Sequence, residues 1–85
     1  LVKNADNHRR FGAGDTIFRT GDRGDYLYII VDGEVNIVFD SEVIRTLGAG
    51  DLFGEMSLID DAPRSADAVA KTDCVLAPVD NGIRP

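Results

Sequence analysis

The run FGEMSLIDDAPRSA, Phe53 to Ala66, concentrates the chemistry of this chain. Gly54 stands before a short stretch, Glu55 to Ile59, that reads as a helical turn, and Arg64 follows Glu55 by nine residues. The first amides of a helix have no internal partners and carry partial positive charge. Those around Met56 and Ser57 therefore form an anion cradle, and Gly54 leaves it open to close approach. Arg64 adds a guanidinium that stays charged and presents a planar fork suited to phosphate, and Pro63 before it makes a stiff mount. Glu55 would repel a phosphate; it suits a ligand hydroxyl that donates to a carboxylate. These residue types ask for one compact anion beside a sugar hydroxyl, and a nucleotide has both. The competing reading is structural: a helix that plugs the core, with Glu55 and Arg64 paired to each other. An exposed ion pair of that kind adds at most about 1 kcal/mol.

Such a cluster needs a frame, and the rest of the chain reads as β-structure. From Phe11 onward glycines punctuate short apolar runs, the pattern of strands and turns. In YLYIIVDGEVNIVF, Asp32-Gly33 splits two β-rich runs, Tyr26 to Val31 and Glu34 to Phe39, and predicts a hairpin with a type I′ turn. On the second arm Val35, Ile37 and Phe39 alternate with Glu34, Asn36 and Val38, so one face borders a core or a pocket. Val43 to Leu47 reads as a further strand, closed by the turn Gly48-Ala49-Gly50-Asp51. Thr16 to Arg19, Ala66 to Ala70 and Cys74 to Val79 complete a set of at least six. The expectation is a mainly-β, eight-stranded-type jelly-roll barrel with one short helix. Residues 1–10 read as a lead-in, 11–80 as the barrel and 81–85 as a tail. The helix is too short to stand on propensity, so Phe53, Met56, Leu58 and Ile59 must hold it by packing.

Composition narrows the function classes. The 85 residues allow one domain, which buries only about 60% of the surface its unfolded chain exposes. Asp and Glu outnumber Lys and Arg fifteen to nine, for a net charge of −6. That balance argues against nucleic acid or an anionic membrane as partner, since both need clustered cations. Any anion must be held by a local site. Cys74 has no internal cysteine to pair with and reads as a buried strand residue. His8, the single histidine, supplies neither a metal site nor a base for Ser57 or Ser65. No membrane-length apolar run or leader is evident, so the chain reads as soluble and cytoplasmic. It begins at Leu1 and not at Met, and reads as a piece of something longer.

FGEMSLIDDAPRSA resembles the phosphate-binding cassette of the cyclic nucleotide-binding domain, the sensor module of catabolite activator protein, protein kinase regulatory subunits and cyclic-nucleotide-gated channels. GDTIFRTGDRGDYLYIIVDGEVNIV and LGAGDLFGE resemble the upstream strands of that family, so the likeness runs roughly from Phe11 to Val79. The resemblance implies a task for each matching residue. Glu55 would accept the ribose 2′-hydroxyl, and Arg64 would pair with the exocyclic oxygens of the cyclic phosphate. Gly54, Met56, Ser57, Ser65 and Ala66 would complete the cradle around ribose and phosphate, with Phe53 and Pro63 supporting it. Asp25 matches an aspartate that steadies the arginine in some relatives. Ile37 and Ile44 match apolar positions beside the base, with Arg45 near its edge and Phe18 a weaker candidate.

The implied function is a cyclic-nucleotide-binding regulatory module, not an enzyme, with cAMP favoured over cGMP as ligand and no further cofactor or metal. Its effector is open: a channel, transporter, kinase-like protein or transcription regulator. Family members cap the base with helices that follow the barrel. In this chain Leu1 to Arg10 is short and Asn81 to Pro85 carries helix breakers, so binding weaker than in a complete domain is expected. The acidic, compact cassette has a bacterial look. The alternative is a nucleotide-independent interaction or assembly barrel of the same fold. A metal-dependent cupin-type enzyme would need a histidine cluster that the sequence lacks.

Overall fold

Apolar runs too short for helices become eight strands in the computed structural model, which describes residues 7–24, 26–55 and 62–79. Strands β1 (Arg9–Phe11), β8 (Cys74–Val79), β3 (Leu27–Asp32) and β6 (Leu52–Phe53) form one sheet in that order. Strands β2 (Thr16–Phe18), β7 (Asp67–Ala70), β4 (Val35–Phe39) and β5 (Glu42–Leu47) form the other. Every pairing is antiparallel: β1 with β8, β2 with β7, β3 with β6 and β4 with β5, and, joining these pairs into sheets, β3 with β8 and β4 with β7. One long hairpin wrapped over itself gives this pairing, and it is the jelly-roll arrangement expected from the sequence. It is built as two four-stranded sheets and not as a closed barrel.

Period-two alternation turns one face of each sheet inward. Tyr28 and Ile30 on β3, Ala68 and Ala70 on β7, and Cys74 and Leu76 on β8 are all buried. Ile30, Val35 and Leu76 have at most 1% of their surface exposed. Each contributes about 1.5–3 kcal/mol through burial, so these three anchor the core. Phe18, Tyr28 and Phe53 stack as a triangle at 5.5 to 6.3 Å between centroids, joining β2 of one sheet to β3 and β6 of the other. Cys74 is a buried free thiol, and burial, followed by the carboxylates of Asp73, Asp15 and Asp32, pushes its pKa up and leaves it a poor nucleophile.

The predicted hairpin at Asp32-Gly33 is not formed. Strands β3 and β4 lie in different sheets, so these residues carry the chain across the core. Gly33 has φ +90°, whereas Asp32 does not have the positive φ that a type I′ turn requires. Glycine is needed at Gly33 for close approach: an added Cβ would run into the Asp73 carbonyl and come within 2.8 Å of the Cys74 Cα. The sequential hairpin is β4–β5, where Phe39 pairs with Glu42 across Asp40 and Ser41. Both central residues have positive φ, 53° and 67°, which is the type I′ pattern without a glycine. Two strands went unread in the sequence: β1, which begins inside the lead-in, and β6, which is only two residues long. The expected helix lies largely outside the described residues; Glu55, at the edge of its described segment, is helical.

Three turns share one construction, and one of them reaches the site. Gly12–Asp15, Arg19–Asp22 and Gly48–Asp51 each close with the aspartate amide donating to the first carbonyl, at 2.9 to 3.0 Å. The aspartate carboxylate accepts from the first amide in return, at 2.8 to 2.9 Å. The third residue is glycine each time, at the position where a type II turn needs positive φ; Gly21 has φ +90°. Each turn then grips one distant residue by its main chain. The glycine amide donates to that residue's carbonyl, and that residue's amide donates to the aspartate carbonyl. The gripped residues are Ala70, Arg64 and Ile30 respectively. Two of the three are apolar core residues, and the other is the arginine of the cassette.

Candidate functional site

Arg64 is held at its main chain and its side chain alike. Its amide donates to Asp22 O at 2.8 Å and its carbonyl accepts from Gly21 N at 2.7 Å, so the main chain cannot rock. The side chain is 5% exposed. A guanidinium so buried needs compensating contacts. Nη1 donates to the Gly54 carbonyl at 2.8 Å, Nη2 donates to the Tyr26 carbonyl, and Cζ lies 4.0 Å from the centroid of the Phe18 ring. Each contact favours a cation. Gly54 has φ +84°, and a Cβ there would stand 2.5 Å from Nη1, so the arginine occupies the space that the missing side chain leaves.

A cavity of about 310 Å³ opens beside this arginine. Pockets for small molecules start near this size, roughly 300 Å³. From the cassette, Phe53, Gly54, Glu55, Arg64, Ser65 and Ala66 line it. From the two sheets come Phe18, Ile37, Ile44, Arg45, Leu47 and Leu52. The cavity's polar side chains are those of Glu55, Arg64, Ser65 and Arg45, and the rest of the lining is apolar. Glu55 is half-buried and Ser65 exposed.

A β-bulge explains how Ile44 and Arg45 both reach the wall. Neighbouring residues of a regular strand point to opposite faces. Between β4 and β5 the register shifts, so that Ile37 pairs with Arg45 and Val38 with Val43, leaving Ile44 as the extra residue. Such an insertion bends the strand and re-aims its side chains. On its other side Ile37 pairs with Ala68 of β7, which keeps it next to the cassette strand.

The structure thus brings together most of the residues singled out in the sequence. Pro63 stands apart: it is exposed and lines a separate cleft with Gly21, Arg23, Gly24 and Ala62. Met56, Ser57 and Asp25 lie outside the described residues. Sequence reasoning missed Leu47 and Leu52. Leu52 belongs to a strand too short to show alternation, and Leu47 reads as ordinary core. Phe18, the weaker candidate, proves central because its ring faces the guanidinium. The carbonyl of Tyr26 carries no residue-type signal at all.

Comparisons with known proteins point one way. The profile of the cyclic nucleotide-binding domain matches residues 8–82. The cAMP-dependent protein kinase regulatory subunit of Eremothecium gossypii is 42% identical over 80 residues, covering 94% of this chain and 18% of that protein. The cGMP-dependent protein kinase of Plasmodium berghei is 43% identical over 76 residues, covering 87% of this chain and 9% of that protein. The chain therefore spans less than a fifth of either relative. Among solved structures, the EAL enzyme Bd1971 in its cAMP-bound form superposes with a TM-score of 0.79 at 42% identity, over 86% of this chain and 21% of that one. Its cGMP-bound form gives the same values. Both curated relatives are eukaryotic, so the bacterial look of the cassette gains no support from them. No described helix is long and apolar enough to cross a membrane. Profile, relatives and fold agree, and the chain belongs to the cyclic nucleotide-binding domain family.

Proposed function

We propose that this chain is a cyclic-nucleotide sensor module, without catalytic activity of its own, that binds cAMP in preference to cGMP. The observation that carries this reading is the placement of Arg64. A buried guanidinium, clamped at main chain and side chain, lines the same 310 Å³ cavity as Glu55 and Gly54. In this reading Arg64 meets the cyclic phosphate, Glu55 accepts from the ribose 2′-hydroxyl, and the backbone near Gly54 and Ser65 encloses both. Ile37, Ile44 and Leu52 offer the base an apolar wall. Ligand binding shifts the population of cassette conformations, and the effector part of the parent protein reads that shift. The kinase regulatory subunit among its relatives supports cAMP as the ligand and a protein kinase as the class of effector.

A second reading, cGMP, is favoured by Arg45. A guanidinium on the cavity wall can donate twice to N7 and O6 of guanine, whereas adenine presents a donor at the matching position. Titration with cAMP, cGMP and 2′-deoxy-cAMP tests both readings. The expected order is cAMP, then cGMP, with 2′-deoxy-cAMP weaker than cAMP on the wild type and equal to it on Glu55→Ala. Equal binding of cAMP and its 2′-deoxy analogue by the wild type would remove Glu55 from the ribose. No binding of any of the three would favour a nucleotide-independent interaction barrel.

A further inference from the structure

Of the three turns that grip a distant residue, two carry an additional brace in which an aspartate three residues beyond the gripped residue accepts from the turn's second amide. At the first turn Ala13 N donates to Asp73 Oδ1 at 2.9 Å, and Asp73 follows Ala70 by three residues. At the second, Thr20 N donates to Asp67 Oδ1 at 2.6 Å, and Asp67 follows Arg64 by three residues. Thr20 Oγ1 donates to the same oxygen at 2.9 Å, a bond the first turn has no hydroxyl to make. At the third turn the corresponding position after Ile30 is Gly33, which has no side chain.

We infer that Thr20 and Asp67 are positioning residues for the anion-binding arginine. The two residues that grip Arg64, Gly21 and Asp22, directly follow Thr20, so a turn free to rock about Thr20 would carry the Arg64 main chain with it. The guanidinium would then leave the carbonyls of Gly54 and Tyr26 and the face of Phe18. Asp67 is a firm anchor because its own backbone is set in β7, paired with Val38 of β4. The carboxylate is drawn below its ordinary pKa first by the Thr20 amide and then by the Thr20 hydroxyl, as expected for an acceptor kept ionised by its donors. These bonds are exposed. Their contribution to global stability is therefore small, and their effect is local order at the turn.

This inference rests on the reading of Arg64 as the phosphate-binding residue, and its test separates the two. Amide hydrogen exchange at Gly21 and Arg64, and affinity for cAMP, are measured on the wild type, Asp67→Ala, Asp67→Asn and Thr20→Val. Asp67→Ala is expected to speed exchange at both amides and to weaken cAMP about five- to tenfold, the scale of one or two lost hydrogen bonds. Asp67→Asn keeps an oxygen that accepts both bonds and should stay within about twofold of wild type, with Thr20→Val between the two. On an Arg64→Lys background, Asp67→Ala should cost less than on the wild type, because the two act as one unit. Wild-type exchange and affinity in Asp67→Ala would overturn the brace, as would an Asp67→Asn variant as weak as Asp67→Ala. Faster exchange in Asp67→Ala beside a wild type that binds no cAMP or cGMP would overturn the ligand assignment, and with it the phosphate-binding role of the arginine.

Discussion

The Arg64 guanidinium carbon stands 4.0 Å from the centroid of the Phe18 ring, so the charge beside the cavity rests on an aromatic floor supplied by β2, the strand that leads into the turn gripping Arg64. A ring quadrupole attracts such a cation by about 0.5–1 kcal/mol where exposed and about 2 or more where desolvated. Phe18→Leu keeps most of the apolar volume and removes the ring. It should weaken cyclic-nucleotide binding about three- to thirtyfold, because a guanidinium without its floor spends part of its time off target. Titration reads that change, and urea unfolding separates it from the loss of the Phe18 contacts with Tyr28 and Phe53. Unchanged affinity would mean that the ring is not needed to hold the arginine in place.

Gly54→Ala and Gly33→Ala should fail in different ways. At Gly54 the new methyl meets the tip of the Arg64 side chain, which can move, so the fold survives with about 1–2 kcal/mol of strain from the positive φ. The displaced guanidinium should then cost more than tenfold in affinity. At Gly33 the methyl meets the backbone of Asp73 and Cys74, which cannot give way locally. That variant should lose about 2–4 kcal/mol of stability, while any folded fraction binds normally. Thermal melts and titrations on both variants check the contrast.

The Asp67 carboxylate gives a pH signature. Its folded pKa lies below the ordinary 3.8, chiefly because of the Thr20 amide and hydroxyl. A depressed carboxylate contributes stability that is present in full above the unfolded value and lost as pH falls through the folded one. Urea midpoints for wild type and Asp67→Asn should therefore differ by a small constant amount at neutral pH, begin to converge as pH falls past the unfolded value of 3.8, and coincide only below the folded value. A gap that stays open in acid would place the stabilising charge elsewhere.

Arg45 should decide how strongly the site tells guanine from adenine. Arg45→Ala removes the donor fork from the cavity wall, and a bidentate contact of this kind discriminates by about 1–3 kcal/mol. Competition between cAMP and cGMP should then shift toward cAMP by roughly tenfold or more if Arg45 reads the base edge. An unchanged ratio would assign Arg45 to the rim.

How much of this was legible in the sequence depended on how local each signal was. The cassette was readable because Gly54, Glu55, Arg64 and Ser65 fall within one stretch and their types fit one ligand. The Asp32-Gly33 pair misled because it has the composition of a hairpin turn, whereas its glycine answers to a crowded crossing between sheets. The true hairpin turn, Asp40-Ser41, has no glycine to announce it. The Gly-Asp turns were visible as punctuation, but the residues they grip lie far off in sequence, as Arg64 does from Gly21. The partners of Arg64 at Tyr26 and Gly54 are carbonyl oxygens, which every residue has. The role of Asp67 was illegible for a related reason, since it acts through a turn more than forty residues away, at a separation of 47.

The most direct test of the central claim is calorimetric titration of the chain with cAMP, for the wild type and for Arg64→Ala with its fold verified by circular dichroism. Removing a buried, hydrogen-bonded charge partner costs about 2–5 kcal/mol, enough to turn micromolar binding into weak or undetectable binding. The account predicts saturable heat from the wild type and a loss of about thirtyfold or more from the variant. Equal binding by a folded Arg64→Ala would contradict it, because the arginine that the structure clamps most firmly would then have no part in holding the ligand.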